Sequence, residues 1–333
     1  MPMFDEEELE RQLRRADPAT TPSNAPPSVR AEADLRRITT GAAAKKSPQR
    51  RHRWLALPAL GALLVLAFFL VQQVLPSNVG GNPTAIAATP PVLSGTGTPR
   101  DFAVFVKEAA AKLRDQEPET PTREASYESW NVNTDINADG STFSYVSPQE
   151  VTTTWRADLS GEITVVTGTP YLPEGSITPD TAPTPAGAIV REERFIAGEM
   201  GIVFAAEPPT DAAAMSAYLT EHGGIEDPND PAQVLEAVGQ LLSEWTLSGA
   251  EHSALLESLA EVPGFESIGS VTDRLGRAGM GFSAQSPTDP RFHSILVLDA
   301  TTGEILSMEK VYLGGVPEFS FDPPTVTSYI AWK

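Results

Sequence analysis

Asp135-Ile136-Asn137-Ala138-Asp139-Gly140 sets oxygen-bearing side chains at the first, third and fifth places of a loop and a glycine at the sixth, which is how a calcium loop opens. Such a loop closes its cage with a bidentate Glu at the twelfth place, and here that place holds Val146. A hairpin turn at Asp139-Gly140 between two strands accounts for the same residues more simply. The four His, at 52, 222, 252 and 293, are too far apart in sequence to share a helical turn, and there is no Cys. Disulfides, thiolate metal sites, iron–sulfur clusters and a Cys nucleophile are therefore excluded. HExxH, GxSxG, a P-loop and GxGxxG are all missing from the sequence. Arg191-Glu192-Glu193-Arg194 reads as an exposed strand with alternating salt bridges rather than as a pair of catalytic carboxylates at Glu192 and Glu193. Trp130, Trp155, Trp245 and Trp332 read as core anchors rather than a ligand cage. The residues thus present no catalytic set, no cofactor motif and no metal site, and the expectation is a protein that is not an enzyme.

Charge and hydropathy carry more information. Residues 54–75 (WLALPALGALLVLAFFLVQQVL) hold no charge, with Gln72 and Gln73 the strongly polar exceptions. A helix of this length rises roughly 33 Å, enough for a hydrocarbon core of ~30 Å. Pro58 falls in the first turns, where few intrahelical bonds are lost, and Trp54 suits the headgroup layer. A buried core helix would not stay apolar on every side for so long.

Lys45, Lys46, Arg50, Arg51 and Arg53 precede the span, and 76–99 carry no charge. Residues 1–53 have 11 basic and 8 acidic side chains, net +3, which leaves 13 basic and 36 acidic ones, net −23, for 76–333. The positive-inside rule then places the N-terminus in the cytoplasm and the C-terminal bulk outside the cell membrane, as a single-pass protein. A net charge of −20 disfavours nucleic acid as a partner. A cleavable signal is the competing expectation, since Arg50-Arg51 precedes the apolar run and Ala85-Ile86-Ala87 has small residues at a cleavage-like spacing. The 53 residues ahead of the run and the length of the run itself argue against cleavage.

Four segments follow: a cytoplasmic tail (1–53), a transmembrane helix (54–75), a flexible Pro/Gly/Ser/Thr-rich stalk (76–99) and an extracytoplasmic domain (100–333). In the tail, Leu9 and Leu13 lie four apart in FDEEELERQLRR, and Leu35 and Ile38 fall in a second short helical pattern, 29–38. A Pro-rich linker, 17–27, separates the two. Neither segment can bury a core alone, so the tail is either disordered or folds against a partner that covers Leu9, Leu13, Leu35 and Ile38.

Beyond the stalk, Phe102, Phe105, Val106, Ala109, Ala110 and Leu113 recur at helical spacing, predicting a helix over 101–116 with Asp101 as its cap. Strands are predicted at 127–132, 142–146, 150–158, 162–167 and 189–196. Helices follow at 211–222, 231–244 and 248–261, with caps at Thr210/Asp211, Asp230 and Ser248 and Pro231 at a first helical position. Strands return at 265–272, 279–284, 292–299, 304–313 and 325–332, with hairpin turns at Arg274–Arg277 and Ala300–Gly303. The order implies an α+β domain: an antiparallel sheet, able to curve into a half-barrel, with helices on one face.

Arg191-Glu192-Glu193-Arg194, Pro209-Thr210-Asp211, Asp230-Pro231-Ala232, Val262-Pro263-Gly264, Val271-Thr272-Asp273-Arg274-Leu275-Gly276-Arg277-Ala278-Gly279 and Leu298-Asp299-Ala300-Thr301-Thr302-Gly303-Glu304-Ile305-Leu306 together resemble a family of uncharacterised actinobacterial single-pass membrane proteins. The likeness covers roughly residues 100–315. It implies an anti-sigma-factor-like layout, and genes of this kind can lie beside those for extracytoplasmic-function sigma factors. The tail lacks the His/Cys pattern of zinc-containing anti-sigma domains. Two functions are open at this point. One is a signal relay, with the outer domain as sensor of an unknown ligand or protein and the tail bound to a sigma factor. The other is a membrane-tethered module that binds a ligand or lipid without signalling, for which a large apolar cavity between sheet and helices would speak.

Overall fold

The computed structural model of the chain describes residues 89–114, 120–136, 142–146, 148–169, 184–315 and 323–333. The tail with Leu9, Leu13, Leu35 and Ile38, the apolar segment 54–75 and the stalk as far as 88 lie outside the described residues. Among the described residues, no helix is long and apolar enough to cross a membrane.

The elements run α1 (Phe102–Arg114), β1 (Glu124–Ile136), β2 (Thr142–Val146), β3 (Gln149–Trp155), β4 (Gly161–Thr167) and β5 (Ile189–Phe195). Then come α2 (Ala212–Gly223), α3 (Pro231–Leu242), α4 (Gly249–Leu259), β6 (Phe265–Thr272), β7 (Ala278–Gln285), β8 (Phe292–Asp299), β9 (Ile305–Tyr312) and β10 (Thr325–Trp332). The domain is α+β, as the alternation of strand and helix patterns implied.

All strand pairs are antiparallel, in the order β5-β4-β3-β1-β10-β9-β8-β7-β6. Two meanders meet where the first strand pairs with the last: Tyr127 faces Trp332 and Trp130 faces Tyr329. β2 continues the lane of β3, because Ser129 faces Gln149 and, three residues on along each strand, Val132 faces Val146. The lane resumes in β3 after Pro148, which has no N–H to give a ladder. β1 and β2 pair as far as Ile136 and Thr142, as a hairpin requires. Of the calcium-like segment 135–140, residues 137–140 lie outside the described residues.

The three helices α2–α4 connect β5, one edge of the sheet, to β6, the other, and so must cross one face. The main core lies there, joining all four helices to Tyr127, Val151, Ile163, Phe282, Leu296 and Met308. α1 buries the six residues its spacing singled out, with Phe102 stacked on Phe265 at 4.0 Å. Each such large side chain, fully buried, contributes roughly 1.5–3 kcal/mol. The helix starts are held by side chains: Asp101 accepts from Val104 N–H, Asp211 from Ala214 N–H and Asp230 from Ala232 N–H, and Ser248 forms a capping box with Glu251.

A second core occupies the opposite face, with Val271, Ile295, Val297, Val311, Val326 and Tyr329, and with Val92 and Leu93 packed on it. The end of the segment assigned to the stalk is therefore part of the domain. Thr96 exchanges two backbone hydrogen bonds with Ser270 of β6, at 2.9 and 2.8 Å. The approach needs glycine, since a Cβ on Gly95 would stand 1.8 Å from the carbonyl oxygen of Ile268. This strap covers part of the β6 edge before α1 begins on the helical face.

Candidate functional site

The most unusual buried group on the helical face is Glu244, just past the C-terminus of α3 and 3% exposed. Its carboxylate accepts from the backbone N–H groups of Val203 (3.0 Å) and Phe204 (2.8 Å) and from the Gln240 side-chain amide. Burial pushes its pKa above the usual carboxylate range, against the pull of these three donors. Two indoles lock the same corner. Trp155 Nε1 donates to the Glu244 carbonyl oxygen and Trp245 Nε1 to that of Phe204, both at 2.7 Å. The indoles meet edge to face at 5.1 Å, with the Arg123 guanidinium over both rings.

Beside Glu244, a cleft bounded by Tyr127, Val151, Ile163 and Gln240 leaves about 30 Å³, room for about one or two water molecules. Burial raises the Tyr127 phenol to about 12, so it stays protonated. With both carboxylate oxygens engaged, Glu244 fastens Val203 and Phe204 to the end of α3, and its backbone carbonyl ties Trp155 of β3 to the same corner.

On the other face the β6–β7 turn folds over the sheet. Arg274 grips the fully buried Glu309 carboxylate through Nε (2.6 Å) and Nη2 (3.0 Å), and Nη2 also donates to the Pro91 carbonyl at 2.8 Å. Arg277 pairs with Asp273 and donates to the carbonyls of Trp332 (2.6 Å) and Leu306 (2.8 Å). Two arginines thus clamp the turn to β9 and β10, and one of them also holds the strap. Burial raises Glu309 above the ordinary carboxylate range, and Arg274 opposes that shift.

Arg191-Glu192-Glu193-Arg194 lies on β5, the edge strand, as its charges implied. Arg191 pairs with Glu193 on one face, and on the other Arg194 meets Glu162 of β4 at 2.8 Å and Glu192 at 3.9 Å. Exposed large apolar residues gather here as well: Ile189 is 60% exposed, Val190 47% and Ile196 69%. A solvent-open cleft of about 350 Å³, lined by Arg156, Glu162, Arg194 and Phe195 among others, adjoins the strand's end.

Trp130, Trp155, Trp245 and Trp332 are all buried, as expected of core anchors. Among the described residues, no three His, Asp or Glu side chains gather as a metal site would need. The sequence marks Arg274 only as a turn residue and does not single out Glu244 or Glu309. The signal for Glu244 was its place beside Leu241, Leu242 and Trp245; for Glu309 it was a single carboxylate in a strand pattern that is otherwise mostly apolar, Ile305 to Tyr312.

The described residues define an α+β domain, a wide open antiparallel sheet with four helices. No family model and no curated protein matches the chain. Among solved structures, similarity is found to a chain in the MucA/MucB complex of Pseudomonas aeruginosa, at 13% identity and a TM-score of 0.25, covering 70% of this chain and 56% of that one. Similarity is also found to a putative outer membrane lipoprotein-sorting protein domain from Vibrio parahaemolyticus, at 9% identity and a TM-score of 0.19, covering 69% and 89%. This chain spans little more than half the length of the first.

Proposed function

We propose that the chain is a single-pass membrane protein whose outer domain works through protein contacts, without catalysis, and whose tail relays the signal to a cytoplasmic partner as an anti-sigma factor does. The filled interior carries this over the ligand- or lipid-binding alternative. Among the described residues the four helices pack directly on the sheet, and the cleft left between them beside Glu244 has about 30 Å³, far below the few hundred Å³ of a typical ligand site. The basic residues of 45–53, the uncharged run 54–75 and the acidic surplus beyond it support an N-inside orientation.

In the tail, Leu9, Leu13, Leu35 and Ile38 are the contact residues, and an extracytoplasmic-function sigma factor is the partner. Burying four aliphatic side chains contributes roughly 6–12 kcal/mol gross. Ordering the tail costs about 2–5 kcal/mol or more, which leaves a modest affinity. The acidic run Asp5–Glu8 steers the tail toward a basic surface. The test is co-purification of the full-length chain with the sigma factor of a neighbouring gene. Leu9→Ala with Leu13→Ala should abolish capture and leave membrane insertion unchanged. Failure of the unaltered chain to bind that sigma factor would reduce the tail to an anchor leader.

A further inference from the structure

The two edges of the sheet are treated differently. β6 is paired in part by the strap at Thr96. β5 pairs with β4 on one side, and among the described residues no segment pairs with its other side. Yet β5 and the residue after it carry three of the five exposed large apolar residues of the described chain. An open edge strand is ordinarily protected by charge, and β5 has charge, in an order that does more than repel.

Arg191-Glu192-Glu193-Arg194 reads the same in both directions. A two-fold antiparallel pairing of β5 with a second copy keeps every side chain on its own face, so one residue of the strand must face its own copy. Centred on Glu192 or on Glu193, the pairing opposes two glutamates and places an Arg–Glu pair on either side of them. Like charges directly opposite destabilise a strand pair, so a self-pairing centred in this motif always carries one mismatched contact, and the motif is better matched by a strand of a different sequence. A strand reading acidic, basic, basic, acidic would meet opposite charges at all four positions, and the palindrome allows this in either direction. On each face of the sheet it would complete a square of alternating charge, with Arg191 and Glu193 on one side and Glu192 and Arg194 on the other. The β4 neighbour already follows this rule once, with Glu162 opposite Arg194.

We infer that the β5 edge is a docking site for an extended segment of a partner protein, one with an acidic-basic-basic-acidic core between aliphatic residues. Backbone hydrogen bonds to the open edge give affinity, the four charges select, and Ile189, Val190 and Ile196 cover the partner's flanks. The inference does not depend on the membrane orientation or on the tail.

The probe is a synthetic octapeptide with Glu-Arg-Arg-Glu between Ile-Val and Val-Ile pairs, and its control carries Arg-Glu-Glu-Arg in the same frame. Each is titrated into the purified full-length chain, with hydrogen exchange read across residues 189–196. The matched peptide should bind at least about tenfold tighter than the control, since four opposite-charge pairs replace four like-charge ones. It should slow exchange in 189–196, and its affinity should fall with added salt. Glu192→Lys with Glu193→Lys, both at exposed or half-exposed sites, should erase or invert the preference between the peptides while circular dichroism stays unchanged. Equal affinities, binding without protection of 189–196, or protection of 189–196 by self-association in the absence of peptide would each overturn the inference.

Discussion

Replacing Arg274 with Ala strands a carboxylate. The Glu309 side chain has no exposed area and Arg274 retains 18%, so the pair is held largely away from water. Breaking such a pair from one side costs about 3–5 kcal/mol, because the remaining charge is buried without its partner. The lost bond to the Pro91 carbonyl adds about 0.5–1.5 kcal/mol and loosens the strap. A domain of ordinary stability, about 5–15 kcal/mol, would register this as a large fraction of the total. The cost depends on pH in a defined direction. Burial already raises the folded pKa of Glu309, and losing Arg274 raises it further. The fold then holds that proton more tightly than the unfolded chain does. Stability is highest at acid pH and falls as pH rises from the unfolded carboxylate range through the folded pKa. Urea unfolding of the full-length chain, followed by Trp fluorescence, should show the full loss near about pH 8 and a smaller one near about pH 5. Adding Glu309→Gln to Arg274→Ala should recover most of it. An Arg274→Ala chain within about 1 kcal/mol of its parent at the higher pH, or a double variant no better than the single one, would refute the clamp.

Other outcomes follow from single contacts. The Ile305 N–H donates to His252 Nε2 at 3.2 Å, and burial lowers the imidazole to about 4, so the fold keeps it neutral. Its stabilising effect is complete above the unfolded value of 6.5 and is lost as pH falls toward about 4, by about 3 kcal/mol; His252→Gln should flatten that part of a stability–pH curve. Gly95→Ala would drive a Cβ into the Ile268 carbonyl, so the strap should detach and the amides of Thr96 and Ser270 should exchange faster with deuterium, with the helical core unaffected. Ser248→Ala removes the oxygen that caps α4 and should lower the unfolding free energy by about 1 kcal/mol.

Periodicity was enough to place the helices and strands. The α1 stripe from Phe102 to Leu113 and the capping residues Asp101, Asp211, Asp230 and Ser248 could be read directly, because both signals are local and repeat within a turn or two. The pairing of Tyr127 with Trp332 could not be read, since nothing near either residue records a partner some two hundred positions away. The strap was hidden in a different way. Proline, glycine, serine and threonine look like linker whether or not a glycine among them lets backbones touch, as Gly95 does against Ile268, met by Gly269 of β6 against Thr96. Buried charge was hidden because a lone Glu in an amphipathic pattern normally faces water. Glu244 and Glu309 depart from that only because the folded chain supplies donors from distant segments, at Val203, Phe204 and Arg274. For the β5 edge the charges were visible in the sequence, and the open side of the strand was not.

The central claim is the orientation of the chain across a membrane. The natural chain contains no Cys, so single cysteines report without interference. Ser47→Cys, in the basic run before the apolar segment, and Glu266→Cys, exposed on β6, would each be treated in intact cells with a membrane-impermeant maleimide. Labelling at 266 in intact cells, with labelling at 47 only after the membrane is permeabilised, is the predicted result. Labelling at 47 in intact cells, or protection at 266 while known outer-surface proteins react, would contradict the account.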